Sequence, residues 1–326
     1  MAQLIKLYDY ISRYELDAYR YPSQFIRFKK KQWAKVYDAW KSNRFHTVMK
    51  VSEPEFTPFM DDGEKKSLLK KLKSKLSKEE PSIQTIKPLV QDAALDDDEL
   101  QFQFTTVPKS ENDLKLLFLD YIFRFQIRWA SSTLHEKSSV DKKVYRDRLL
   151  QYFMQRLPDH YLLLYKPVFL IKNAPVELDL IIIGTTEVYC LTVVEHLNET
   201  IYTGSKDKFW LARNGKDTKK ILNPVISLNR TATVVQKVLS VGEADLPVKK
   251  IIVSRNGYID YPFAPHDITL LDKRTYGQWF NRLRSSSAPL KHIQLKSAQV
   301  LLSHCLTSSF YRKEWNEQSP DEQHID

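Results

Sequence analysis

Glu177 and Asp179 stand two residues apart in VELDLIII, residues 176–183. In an extended strand, residues i and i+2 point to one face, so this spacing predicts two carboxylates on one side of a sheet. Carboxylates paired in this way are oxygen ligands for a hard divalent cation such as Mg²⁺. Lys166, on the preceding apolar run, would place a cation beside them, and Asp147, just ahead of the strands, would add a third acid. The competing role for Glu177 and Asp179 is a polar strand edge or an internal ion pair with Lys166. The next strand-like run, EVYCLTVVE (187–195), presents Thr192 and Val194 two apart: one neutral hydroxyl, a weak Mg²⁺ ligand, and one side chain with nothing to donate. Glu195 falls on the opposite face from Thr192. His196 has no second histidine at ligand spacing. No Ser-His-Asp or Cys-His arrangement stands out.

The elements that must carry these residues follow from periodicity. Residues 1–50 are rich in aromatics at helical spacing, with Phe25, Phe28, Trp33, Tyr37 and Trp40 in a run that Ser23 would cap. Residues 51–109 change to prolines and charges and are expected to be a linker. Within it, 63–79 forms a basic amphipathic helix in which Lys66, Lys70, Lys71 and Lys73 surround a stripe of Leu68, Leu72 and Leu76. The acids of LDDDEL (95–100) are adjacent in sequence and read as a solvated run. From Ser110 a densely apolar helix begins, and a second is expected over 141–157, stopped by Pro158. Strand patterns then follow at 161–171, 176–183 and 187–195, with shorter ones in ETIYTG and KFWLAR. Asn223-Pro224 starts a helix to 240 as N-cap and first helical residue. A strand at 248–254, another at 267–272 and two helices near 273–284 and 289–306 complete the domain 110–312, and 313–326 is a polar tail. This order predicts an α/β fold: a central mixed β-sheet flanked by helices, preceded by a helical N-terminal region. A doubly wound nucleotide fold would need helices between the early strands, and 161–213 offers none.

Composition narrows the function classes. The chain has 326 residues, 42% hydrophobic and 12% aromatic, enough for a packed core. Only 7 glycines occur, and no Gly-rich phosphate-binding loop is present. Two cysteines, Cys190 and Cys305, build no disulfide framework, and Cys190 reads as a reduced core thiol. No signal-peptide pattern and no run of 18 apolar residues occur, so a cytoplasmic setting and no membrane are expected. The net charge of +10 favours acidic partners, nucleic acid first among them.

The succession VELDLIII, EVYCLTVVE, TIYTGSKDKFW and ILNPVISLNRTATVVQKVL, over about 141–254, resembles the nuclease-related domain (NERD) family. The whole chain resembles a bacterial group of such proteins with a long N-terminal helical extension. The resemblance implies a restriction-endonuclease-like fold. It also implies a site in which carboxylates from two adjacent strands hold Mg²⁺, and an acid-x-lysine pair on the second strand helps to position and charge-balance the attacking water. Asp179 matches the first acid. Thr192 and Val194 occupy the expected acid and lysine positions.

The expectation is therefore a fold kept and a reaction lost: a protein that binds nucleic acid, DNA ahead of RNA, without hydrolysing it and without a cofactor. Lys66, Lys70, Lys71, Lys73, Arg255, Lys273 and Arg274 are its expected phosphate contacts. One alternative is a Mg²⁺-dependent nuclease or phosphodiesterase with a rearranged site of Asp179 and Glu177 as metal ligands and Lys166 as the cation. The other is an interaction scaffold that docks its N-terminal aromatic helix and the 63–79 helix on a partner protein.

Overall fold

Four short runs of Leu, Ile and Val build the centre of the molecule, because each is too short for a helix and too apolar for solvent. The computed structural model describes residues 1–44, 50–51, 103–104, 107–133, 135–308 and 311–312. In chain order it forms β1 (Gln3–Leu7), α1 (Arg20–Lys41), the two-residue strands β2 (Lys50–Val51) and β3 (Gln103–Phe104), α2 (Glu111–Trp129), β4 (Glu136–Lys137) and α3 (Arg148–Arg156). Then come β5 (Leu162–Tyr165), β6 (Val168–Ile171), β7 (Ala174–Glu177), β8 (Leu180–Ile183), β9 (Val188–Val193), β10 (Ile201–Thr203), β11 (Phe209–Asn214) and β12 (Asp217–Leu222). The remainder is α4 (Pro224–Val241), β13 (Val248–Val253), β14 (Tyr258–Asp260), β15 (Ile268–Leu271), α5 (Tyr276–Ser285), α6 (His292–Ser303) and β16 (Tyr311–Arg312).

The chain divides into two units, Met1–Lys35 with Asn112–Asp326, and Val36–Glu111. In the smaller unit β2 pairs with β3 in parallel, and the Trp40 indole donates to the Pro108 carbonyl at 3.0 Å. The expected helix 63–79 and the acidic run 95–100 lie outside the described residues.

The larger unit is built on a mixed six-stranded sheet in the order β1-β5-β8-β9-β13-β15. The pairs β5/β8 and β8/β9 are antiparallel, and β1/β5, β9/β13 and β13/β15 are parallel. Every residue of β5 and β8 is buried. Helix α4 packs along β9 and β13, and α6 packs on α4 and β8. This is the central mixed sheet flanked by helices that the pattern of elements predicts.

Three local expectations change. Residues 3–7 form a strand at the edge of the central sheet. The run QLIKL is buried at every position, so it has no alternation to betray it. Its lysine is neutralised in place: Lys6 pairs with Glu15 and donates to the Tyr10 carbonyl at 2.8 Å and to the Thr307 hydroxyl at 2.7 Å. The helix expected over 141–157 starts only at Arg148, because Asp147 turns extended and accepts from the Leu149 and Leu150 amides at 2.9 and 3.0 Å as an N-cap. The runs 161–171 and 176–183 are not continuous strands. Lys166, at φ 47°, breaks the first ahead of Pro167, and Leu178 and Asp179 break the second. Between the breaks, β6 and β7 form a separate hairpin, turned by Lys172 and Asn173 at φ 49° and 63°.

A second sheet has the order β12-β11-β10-β14. Its inner face is closed by Tyr202, Trp210, Ala212 and Ile259, all buried. The turn leading into β14 needs Gly257, since a Cβ there would stand 2.4 Å from the Thr200 carbonyl.

Candidate functional site

Asp179 lies immediately before β8, and its surroundings are fixed by strand register. Leu180 pairs with Leu191, so one step back along the same antiparallel register sets Asp179 against Thr192 of β9. The Thr192 hydroxyl donates to Asp179 Oδ2. From the other side, Ser227 of α4 donates to the same oxygen at 2.7 Å. One turn further along that helix, the Thr231 hydroxyl accepts from the Asp179 backbone N–H at 3.1 Å. Thr192 and Thr231 are buried and Asp179 is half-buried. Two hydroxyl donors thus satisfy one oxygen of this carboxylate, and Arg230 in turn donates to the Ser227 hydroxyl at 3.4 Å.

The helix that delivers Ser227 is anchored by Asn223. Its side-chain oxygen caps α4 by accepting from the Val225 N–H at 3.0 Å, and Pro224 supplies the first helical residue. Its amide donates to the Ser205 and Asp207 carbonyls at 3.2 and 2.8 Å, tying the β10–β11 loop to the helix start. The Asn-Pro step thus links the second sheet to the residues that hold Asp179.

On β9, Cys190 lies two residues before Thr192 and is fully buried. Burial and the nearby charge of Asp179 both push its thiol well above the ordinary cysteine value, which keeps it protonated and inert. Val194, just past β9, is buried, and its N–H donates to the Val253 carbonyl at 2.8 Å.

The nuclease-related domain family matches residues 142–254, the span that contains Asp179, Thr192, Val194, Ser227 and Thr231. The chain carries a nuclease-related domain. A curated RNA 2',3'-cyclic phosphodiesterase of Geobacillus stearothermophilus is 52% identical to it over 44 residues, which are 14% of this chain and 14% of that protein. No solved structure matches the chain.

A nuclease fold implies Mg²⁺, and the donor set around Asp179 does not fit it. A Mg²⁺ ion takes six oxygens in near-octahedral geometry and is normally held by carboxylates and water. Here one oxygen of Asp179 is engaged by two hydroxyl donors, and the positions of the expected second acid and lysine carry Thr192 and Val194, neither of which offers a charge. Among the described residues no group of three or more His, Cys, Asp or Glu stands together as a candidate metal site.

The nuclease-related domain places the other expected site residues elsewhere. Glu177 ends β7 in the β6–β7 hairpin, so the strand break at Leu178 separates it from the sheet position of Asp179. It borders a cavity of about 300 Å³ with Tyr8, Tyr10, Asp141 and Asp147. Burial, followed by the charges of Asp147 and Glu177, pushes the Tyr8 phenol up to about 12. Asp147 is occupied by its capping role and by the Tyr165 hydroxyl, which donates to it at 2.6 Å. Lys166 sits in the turn after β5, its ammonium 5.9 Å from the centre of the Tyr165 ring, and among the described residues no ion pair joins it to Glu177 or Asp179.

Of the expected phosphate contacts, Lys66, Lys70, Lys71 and Lys73 lie outside the described residues. Arg255 forks onto Glu195 at 2.5 and 2.6 Å and stacks 4.3 Å over the Tyr152 ring. Both its charge and its flat face are thereby engaged. Lys273 pairs with Glu199, and Arg274 donates to Asp272 at 2.5 Å, and both lie close to Tyr258 at 5.9 and 5.7 Å. Among the described residues no helix is long and apolar enough to cross a membrane.

Ser227 and Thr231 escape a reading by motif. Hydroxyl residues are common on helices, and only their i, i+4 spacing behind an Asn-Pro cap marks a shared face.

Proposed function

We propose that this protein uses its nuclease-related domain to bind nucleic acid, DNA in preference to RNA, and does not hydrolyse it. The observation that carries the reading is the hydrogen bond from Thr192 to Asp179, at the positions where the family resemblance puts two metal-binding acids. A hydroxyl donor there satisfies the carboxylate in the absence of an ion. The formal charge of +10 supports a polyanionic ligand. Lys273 and Arg274, with Lys66, Lys70, Lys71 and Lys73, are proposed phosphate contacts, and Arg255 would have to leave Glu195 to join them.

The test is fluorescence anisotropy with labelled DNA and RNA, paired with a cleavage assay in Mg²⁺ and in Mn²⁺. Binding is expected to weaken steeply between about 50 and 200 mM salt as phosphate contacts release counterions. DNA is expected to bind more tightly, and the nucleic acid to remain uncut. Metal-dependent cleavage that disappears in Asp179→Ala would overturn the reading.

The short identity with a phosphodiesterase favours a second reading, phosphodiester hydrolysis by Asp179 and Glu177 with Mg²⁺ and Lys166. It requires Glu177 to reach Asp179 from the β6–β7 hairpin. Turnover of nucleic-acid or cyclic-phosphate substrates that falls equally in Asp179→Asn and Glu177→Gln would establish it.

A further inference from the structure

The four-stranded sheet is closed on one face and bare on the other. Because Trp210 and Ala212 turn inward, alternation turns Phe209, Leu211 and Arg213 of β11 outward. The strand pairing then sets three rows across the outer face. Leu222 lies beside Phe209. Lys220, Leu211, Thr203 and Asp260 form the middle row. Thr218, Arg213, Ile201 and Tyr258 form the last. Phe209 is 47% exposed and Ile201 is 43% exposed, so nothing in the described structure covers this face.

The two rings stand at opposite corners. A strand spacing of about 4.8 Å and a rise of about 3.4 Å per residue put them roughly 17 Å apart, room for several nucleotides. Cations accompany each ring. The Lys208 ammonium lies 5.7 Å from the Phe209 ring centre, and Lys273 and Arg274 lie 5.9 and 5.7 Å from that of Tyr258. Between them, Arg213 and Lys220 are exposed and have no ion-pair partner among the described residues. The acids nearby are Asp260 in the middle row, Glu199 held by Lys273, and Asp272 held by Arg274.

An exposed Phe209 ring and a half-buried Tyr258 ring, with the unpaired cations Lys208, Arg213 and Lys220 among them, match a ligand that offers flat bases and phosphates in alternation. A duplex hides its bases in the stack and cannot use the rings. An apolar protein partner would leave Arg213 and Lys220 desolvated and unpaired.

We propose that the outer face of this sheet seats a single nucleic-acid strand, with bases stacked on Phe209 and Tyr258 and phosphates on Lys208, Arg213 and Lys220. The inference rests on the nucleic-acid binding proposed above and names the surface and the form of the ligand.

The experiment is fluorescence anisotropy of the full chain with 20-nucleotide oligo-dT, oligo-U and a 20-base-pair duplex. Single strands are expected to bind more tightly than the duplex. Phe209→Ala with Tyr258→Ala is expected to weaken single-strand binding at least tenfold. Phe209→Leu, which keeps an apolar side chain and loses the ring, is expected not to restore it. Arg213→Glu with Lys220→Glu is expected to weaken binding at least tenfold and to flatten its salt dependence. Unchanged melting temperature and Trp210 emission in each variant establish that the sheet is intact.

Wild-type affinity in all these variants would overturn the assignment of the surface while leaving nucleic-acid binding in place. No binding of any probe would overturn both. Equal losses for duplex and single strand would overturn the single-strand assignment. Self-association removed by the same variants would give the face to a second copy of the chain and overturn it too.

Discussion

Thr192 and Asp179 face each other across β8 and β9, and the threonine hydroxyl donates to the carboxylate. Ser227 completes the arrangement from α4 at 2.7 Å. Asp179 therefore joins the sheet to the helix that covers it. A carboxylate in that position has a structural use, because it accepts from the buried Thr192 hydroxyl and from the half-buried Ser227 hydroxyl at once.

Removing the carboxylate should for this reason cost stability. Asp179→Ala leaves the Thr192 and Ser227 hydroxyls without their acceptor, and a destabilisation of about 2–3 kcal/mol is expected. Asp179→Asn, which keeps one acceptor oxygen, should cost less. Urea denaturation of the two variants measures the difference. A carboxylate kept for catalysis alone would show no loss in either.

Placing an acid opposite Asp179 should create an affinity for cations. In Thr192→Glu two carboxylates would meet across the strands, and their repulsion should lower the melting temperature in a chelator. Saturating Mg²⁺ should then raise it, by the equivalent of about 2.7 kcal/mol if the ion is present at a hundred times its Kd. The wild-type protein should show no such Mg²⁺ dependence. Differential scanning calorimetry with and without Mg²⁺ is the check.

Asn223 should matter more than an ordinary helix cap. It caps α4 and also holds the Ser205 and Asp207 carbonyls, so Asn223→Ala breaks three bonds at once. A loss of about 2 kcal/mol, the upper end for a cap, is expected from denaturation. Asn223→Asp keeps the cap acceptor, loses the amide donors and should fall between the two.

His160 should make the fold sensitive to mild acid. Burial lowers its pKa below the ordinary histidine value, against the opposing pull of Asp159. The neutral ring is thus favoured in the folded protein. Stability is fully present above the unfolded value of about 6.5 and falls as the pH drops from there through the lower folded value. His160→Phe, which retains a ring to pack against Tyr161 at 4.4 Å, should flatten the stability profile below about pH 6.5. Denaturant midpoints across that range provide the measurement.

The residues that could be read in sequence are those whose neighbours along the chain determine their role. The leucine and isoleucine runs of β5 and β8 and the Asn223-Pro224 helix start declare themselves locally. Asp179 and Thr192 could be aligned because a hairpin of fixed register joins them. Glu177 misled, since period-two spacing says nothing about a strand that leaves one sheet and joins another at Leu178. Lys166-Pro167 carried the signal for the matching break, as proline withholds a donor from a ladder. Lys6 and Arg255 could not be read, because their partners Glu15, Thr307 and Glu195 are brought to them by tertiary folding. A charge seen in sequence is an address on the surface only until its counter-ion is known.

The parallel seat of β1 against β5 also bears on how this module can be separated or recombined. Excising residues 142–254 would strip away β1 at one rim of the central sheet and β15 at the other. Both flanks of the remainder would then offer bare amides and carbonyls to any passing chain, and such flanks invite intermolecular pairing and precipitation. The first seven residues therefore act as a selvedge, and a soluble portable version of the domain has to bring them along.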